Sequence, residues 1–277
     1  MSISYYNGEI CALDSAKIPL SDRCVFFGDG VYDAGLGFNG RVHLLHEHTD
    51  RLIRGANTLG IPCIYTKEDL EKIILSVVSQ SEYDCFMVYF QLTRNGERRV
   101  HSARGTEKSN LLITVTPSTA PNPNERIKLV SYPDKRYLYC NIKTLNLLPS
   151  VLASTYADER GCDEAVFVRD GIVTECAHSN ISIVKGDVLY THPECEKILS
   201  GITRKQLLTE ARKIGITMRE KAFTLGELYS ADEVIVTSST KLARLATEID
   251  GIRYESKKGS VGEILVKALH TSFVNNA

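Results

Sequence analysis

Ala165-Val166-Phe167-Val168-Arg169-Asp170-Gly171-Ile172-Val173-Thr174-Glu175 reads as two short apolar strands joined across Arg169-Asp170-Gly171. A second pair follows: Asn180–Lys185 and Val188–Thr191 meet across Gly186-Asp187. Working outward, Ile127–Tyr132 is predicted as strand, Leu147–Glu159 as helix, Thr203–Ile214 as helix and Glu233–Thr237 as strand. The last helix opens on a capping-box pattern, Ser260-x-x-Glu263, ahead of Ile264, Leu265, Ala268 and Leu269. The N-terminal half shows the same mixture. Asn7-Gly8 suits a tight hairpin turn, and Asn39-Gly40 separates the run Gly30–Phe38 from Arg41-Val42-His43-Leu44. Leu52, Ile53, Ala56 and Leu59 share one face of a helix over His46–Leu59. Leu70, Ile73, Ile74, Val77 and Val78 do so over Lys67–Gln80, with Thr66 as N-cap. Phe86–Thr93 and Asn110–Thr116 are predicted strands. Hairpins mixed with helices indicate an α+β fold of two domains and argue against a doubly wound sheet.

The sharpest change in composition is Pro117-Ser118-Thr119-Ala120-Pro121-Asn122-Pro123, whose prolines favour extended, irregular backbone. The expected division is a smaller domain over 1–117, a linker over 118–125 and a larger domain over 126–277. With 33 Lys+Arg against 34 Asp+Glu, the net charge of −1 gives no general pull toward nucleic acid or an anionic membrane. No apolar run nears the ~20 residues that span a bilayer. The opening Met1-Ser2-Ile3-Ser4-Tyr5-Tyr6 lacks a basic start and a long apolar stretch. The eight cysteines include no C-x-x-C pair and read as reduced thiols, so a cytoplasmic protein is expected.

Several constellations could carry chemistry. Lys143 is a single cation among apolar residues in Cys140-Asn141-Ile142-Lys143-Thr144-Leu145-Asn146-Leu147-Leu148. Its stem either snorkels to water, or the amine is desolvated and becomes a nucleophile for an aldehyde. Gly201-Ile202-Thr203-Arg204 is either an ordinary helix start capped by Thr203 or an anion site made of backbone N–H groups and a hydroxyl. The hydroxyls of Thr237-Ser238-Ser239-Thr240 would bind a phosphate or make a solvated turn. Glu175 sits at a strand end between apolar neighbours; facing a pyridine nitrogen, it would keep that ring protonated as an electron sink. In Arg94-Asn95-Gly96-Glu97-Arg98-Arg99-Val100-His101, a basic loop, Arg99 and His101 share a side if the backbone is extended and could hold a carboxylate. His43, His46 and His48 do not converge as a metal set, since His43 precedes the helix and the other two face different ways.

In their shared order, these segments resemble the fold-type IV (class IV) pyridoxal-phosphate aminotransferases, and within them the bacterial D-amino-acid (D-alanine) aminotransferases. The resemblance runs from Tyr6-Asn7-Gly8 through Phe27-Gly28-Asp29-Gly30-Val31-Tyr32, Glu47-His48-x-Asp50-Arg51-Leu52, Tyr89-Phe90-Gln91-Leu92-Thr93-Arg94, Ile142-Lys143-x-Leu145-Asn146, Val173-Thr174-Glu175 and Gly201-Ile202-Thr203-Arg204 to Val236-Thr237-Ser238-Ser239. It implies pyridoxal 5′-phosphate bound at the domain interface, joined to Lys143 as a Schiff base, with Glu175 on the pyridine nitrogen. Arg51, the N–H groups of Ile202 and Thr203, the Thr203 hydroxyl, Ser238 and Ser239 would form the phosphate cup. Tyr32, Arg99 and His101 would clamp the substrate carboxylate, with the loop reaching across from the partner subunit of a homodimer. The implied reaction is ping-pong transamination between a D-amino acid such as D-alanine and a 2-oxo acid such as 2-oxoglutarate, through pyridoxamine phosphate. Branched-chain L-amino-acid transamination, (R)-amine transamination and aminodeoxychorismate lysis are alternatives within the same fold. Three positions depart from the pattern or stand beside it. His178 replaces a small residue, Ser239 stands where a threonine is common, and Arg98 adds a charge beside Arg99.

Overall fold

Asn7 and Gly8, both at positive φ (48° and 105°), turn β1 (Ile3–Tyr6) back onto β2 (Glu9–Ala12). Asp170 and Gly171 (52° and 77°) do the same farther along the chain, as two-residue hairpin turns require. The structure is a computed structural model that describes residues 2–96 and 99–276. The chain divides into two units. One takes the chain up to Ala120 and then Ile142–Asn146; the other takes Pro121–Asn141 and Leu147–Asn275. Residues 142–146, which a linear division puts in the C-terminal domain, thus belong with the first unit.

In the first unit, α1 (Arg23–Phe27) leads into β3 (Gly30–Phe38) and β4 (Arg41–Val42). Then come α2 (Leu45–Thr58), α3 (Lys67–Val78), β5 (Cys85–Arg94) and β6 (Ser109–Pro117). The strands form one sheet in the order β2-β1-β6-β5-β3-β4, antiparallel throughout. Its side chains alternate between faces. Val31, Phe90, Leu92 and Ile113 turn inward and pack with Leu52, Ala56, Leu70 and Ile74 of α2 and α3. Each such burial stabilises by about 1.5–3 kcal/mol relative to exposure. Tyr32, Tyr89 and Gln91 occupy the opposite face, as the pairings Tyr32↔Gln91 and Ala34↔Tyr89 require. Thr66 and Asp69 close a reciprocal capping box on α3.

The second unit runs β7 (Arg126–Pro133), α4 (Leu148–Asp158), β8 (Glu164–Arg169), β9 (Ile172–Cys176), β10 (Asn180–Lys185), β11 (Val188–Thr191), α5 (Ile202–Lys213), β12 (Thr217–Glu220), α6 (Leu225–Tyr229), β13 (Glu233–Ser238), β14 (Leu242–Ile249), β15 (Ile252–Arg253) and α7 (Val261–Asn276). Its strands follow the order β12-β11-β10-β13-β14-β7-β8-β9, with β15 beside β14. Three pairings are parallel: β11–β12, β14–β7 and β7–β8. Leu207 and Ala211 of α5 and Leu265 and Leu269 of α7 pack with Ile235 and Leu245 in one core cluster. Ala153 and Ala157 of α4 pack with Ala165 and Phe167 in another.

Two expectations are corrected. Ser260 does not close the anticipated box, because its hydroxyl donates to Glu233 Oε1 at 2.6 Å and Glu263 takes the Gly259 N–H instead. Arg94 is not on a basic loop. It ends β5, is buried, and donates to the carbonyls of Leu59 and Gly60.

Candidate active site

Lys143 is placed by a short edge pairing. The Tyr32 N–H donates to the Lys143 carbonyl at 3.0 Å and the Leu145 N–H to the Gly30 carbonyl at 3.2 Å, around an antiparallel bridge between Val31 and Thr144. This register sends Ile142 into the core with Val31 and Lys143 to the opposite face. There Lys143 is half-buried, and its Nζ lies 4.4 Å from the centre of the Tyr32 ring. Tyr32 stacks on Tyr89 (centroids 5.3 Å apart, planes at 27°), and the Tyr89 hydroxyl donates to Gln91 Oε1 at 2.7 Å. Burial pushes the Tyr89 hydroxyl pKa up, so it stays a donor. The amine therefore rests on an aromatic wall, a cation–π position, neither sealed from water nor extended into it.

Arg51 lies on the helical side. Its Nε and Nη2 donate to the two oxygens of Asp33 at 2.7 and 2.8 Å, and His48 Nδ1 is 2.7 Å from Asp33 Oδ1. Asp33 is fully buried. Burial alone would raise its carboxyl pKa, but Arg51 and His48 outweigh that and hold it well below the usual range. Asp33 thus orients the arginine, a role that the bare motif does not announce. His46 turns elsewhere, to Glu71 and Lys67.

Arg99 and His101 do come together. The Arg99 guanidinium stands 5.4 Å from the centre of the Phe27 ring, and the His101 ring lies 5.3 Å from it. Both side chains thus meet one ring. The structure groups Tyr32 with Tyr89 and Lys143 instead. Arg98 lies outside the described residues.

In the second unit, Asn180 is the organiser that the sequence did not reveal. Its Nδ2 donates to Glu175 Oε2 at 3.0 Å and to the Leu199 carbonyl at 2.9 Å, and the Leu199 N–H donates to the same Glu175 oxygen at 3.0 Å. Glu175 Oε1 pairs with Arg136 Nη1. Arg136 in turn grips Asp134 and the Lys197 carbonyl and covers the Phe167 ring at 4.3 Å. Burial would lower the arginine's pKa, but its bonds to Asp134 and Glu175 raise it further, so the cation is permanent. Glu175 is therefore a buried carboxylate with a fixed counter-ion.

Asn180 also fixes the start of α5. A Cβ on Gly201 would fall 1.9 Å from Asn180 Oδ1, so only glycine allows this approach. Gly201, not Thr203, is the N-cap, and no side chain caps the helix. The N–H groups at such a start form an anion site, with Ile202 and Thr203 buried in its first turn. Asn180 lies opposite Thr237 across the β10–β13 pairing, one residue before Ser238. The Ser238 hydroxyl accepts from the Lys241 N–H at 3.3 Å, so it helps to close the turn that carries Ser239. His178 is largely exposed beside Glu164, a buried carboxylate that accepts from the His178 N–H and the Ser179 hydroxyl.

The chain is similar to known proteins in sequence and in fold. A family model described as amino-transferase class IV matches residues 30–249. The chain is 35% identical over 273 residues to a D-alanine aminotransferase of Listeria monocytogenes serotype 4b (strain F2365), covering 97% of this chain and 93% of the relative. It is similar in structure to the branched-chain aminotransferase of Thermoproteus uzoniensis with norvaline, at TM-score 0.91 and 24% identity over 99% and 95% of the two chains. It is also similar to the T.th. branched-chain amino acid aminotransferase with pyridoxamine 5′-phosphate, at TM-score 0.85 and 20% identity over 99% and 93%. Those two likenesses concern the fold, and the family match takes in Lys143, Glu175 and Thr203 alike. The chain belongs to the class IV aminotransferases and has their two-domain α+β, fold-type IV architecture.

Proposed function

We propose that this chain is a pyridoxal-phosphate-dependent transaminase of D-amino acids, passing the amino group of D-alanine or a similar donor to 2-oxoglutarate or another 2-oxo acid. The carrying observation is Lys143, held in register by two main-chain hydrogen bonds with its amine over the Tyr32 ring. The relative at 35% identity, named as a D-alanine aminotransferase, supports the choice of substrate.

The residues fit the cofactor. Lys143 offers an amine, Glu175 a carboxylate paired with Arg136, and the α5 start a row of N–H groups with no side-chain cap. When bound, pyridoxal 5′-phosphate supplies an aldehyde that condenses with amines and a protonated ring that draws electrons from the substrate α-carbon. Lys143 Nζ would hold the cofactor through its aldehyde, and as a free amine it is the group to take the proton from the substrate α-carbon. Glu175 would face the pyridine nitrogen, where a carboxylate favours the protonated ring. By the family resemblance, Ile202, Thr203, Ser238, Ser239 and Arg51 would hold the phosphate. Tyr32, Arg99 and His101 hold the substrate carboxylate and so choose which enantiomer turns its α-hydrogen toward Lys143. The two half-reactions balance: the donor leaves as a 2-oxo acid and the acceptor as a D-amino acid.

The enzyme acts as a homodimer in this reading. Leu148, Val151 and Leu152, at i, i+3 and i+4 of α4, are 68%, 55% and 54% exposed. An apolar stripe of that kind suits burial against a second copy. The eight free cysteines fit a reducing, cytoplasmic setting.

A coupled assay comparing D- and L-alanine tests the proposal. Turnover confined to D-alanine is expected, and L-selective turnover contradicts it. Arg99→Ala should lower kcat/KM for D-alanine by about tenfold to a hundredfold, the loss expected for a charge-assisted contact. Unchanged kinetics would remove the carboxylate clamp from the account.

A further inference from the structure

Arg23 is a buried cation whose side chain is spent on backbone far along the chain. Only 5% exposed, its Nη1 donates to the Val100 carbonyl at 2.6 Å and its Nη2 to the His101 carbonyl at 3.0 Å, 77 and 78 residues later. Its Nε donates to Asp29 Oδ2 at 2.7 Å, and the guanidinium covers the Phe27 ring at 4.7 Å. That same ring meets Arg99 and His101.

The support beneath Arg23 is rigid. Asp29 Oδ2 also accepts from Arg94 Nε at 3.1 Å, and Arg94 is tied to the Leu59 and Gly60 carbonyls after α2. At the other end of α1, the buried Asp22 caps the helix through the Cys24 N–H and accepts from Thr93 and Asn110 on β5 and β6. Gly96 is compatible with this packing only because it lacks a side chain: a Cβ there would stand 2.9 Å from Arg23 Cγ and 3.3 Å from the Ser21 carbonyl oxygen. Among its described residues, the loop of Arg99 and His101 makes no strand of its own. Its direction is set by what grips its carbonyls, and a planar fork reaching two successive carbonyls and a carboxylate needs arginine.

We propose that Arg23 is a positioning residue for substrate recognition, fixing the Val100 and His101 backbone and the shared Phe27 ring so that Arg99 and His101 present one carboxylate site. This rests on the reading of Arg99 and His101 as the carboxylate clamp. Arg23 does not itself touch substrate. It therefore governs how tightly amino and 2-oxo acids are held, while Lys143 governs the proton transfer.

The test is steady-state kinetics of cofactor-loaded Arg23→Gln and Arg23→Lys, beside Arg99→Ala, with D-alanine and 2-oxoglutarate. For both Arg23 variants KM should rise about tenfold or more for both substrates with kcat within about threefold, the pattern of lost substrate positioning. Amide hydrogen exchange at residues 99–104 should also quicken. Lysine supplies one nitrogen where three are used, so its failure to rescue is part of the expectation. Should the Arg23 variants not fold, Gly96→Ala, which displaces Arg23 without removing it, should raise KM in the same sense. An unchanged KM in the Arg23 or Gly96 variants while Arg99→Ala raises it overturns the positioning role alone. An unchanged KM in all of them overturns the clamp and the positioning role together. A fall in kcat at constant KM also overturns the proposal.

Discussion

Asp33 shows how one buried carboxylate can be tested apart from activity. Asp33→Asn leaves Arg51 buried without its counter-charge, so unfolding free energy should fall by about 3–5 kcal/mol in a denaturant titration. The pH dependence has a definite sign. The folded carboxyl titrates below its ordinary value of 3.8, so its contribution is complete above pH 3.8 and is lost as pH falls below that toward the folded-state value. The variant should therefore lose stability less steeply on acidification. A wild-type slope in Asp33→Asn would contradict the pairing. At this scale, the residues legible in the sequence were those with a local signature: Lys143 alone among apolar neighbours, Glu175 at a strand end, Arg99 and His101 two apart. Asn180, Arg136 and Arg23 were not legible, because their meaning lies in partners far along the chain. Arg136 meets Glu175 39 residues on, and Arg23 meets Val100 77 residues on.

Among the elements, α5 carries the clearest consequence. Gly201→Ala would press a methyl group into Asn180, and either the helix start or the asparagine must move. The expected outcome is a loss of about 1–3 kcal/mol in stability and weaker cofactor retention, read as absorbance per subunit after gel filtration. Full retention at wild-type stability would contradict the close approach. The strands and long helices followed from alternation, turn pairs and caps. Those missed have physical reasons. α1 and α6 are five residues each, too short to show a period. β14 is covered on both faces over most of its length and has a register shift near Glu248, so it never alternates. Ser260 carried the capping pattern but found a better acceptor in Glu233, which no local pattern encodes.

For the whole molecule, Ile142–Asn146 is the segment on which the account turns. The proline-rich stretch marked the end of the first unit, but nothing in composition says that the chain later returns to it for five residues. That return is made by edge pairing with β3, a long-range register invisible to local reading. The exposed α4 stripe gives a prediction at this scale. Replacing Leu148 and Val151 with lysine should lower the mass measured by analytical ultracentrifugation from dimer to monomer, and a monomeric wild type would contradict the homodimer. In the proposed reaction Lys143 presents the reacting amine. Its most direct test is borohydride reduction of the protein supplied with pyridoxal phosphate, followed by peptide mass spectrometry. A stable phosphopyridoxyl adduct on Lys143, absent in Lys143→Ala, is expected; no adduct, or one fixed on a different lysine, would contradict that role.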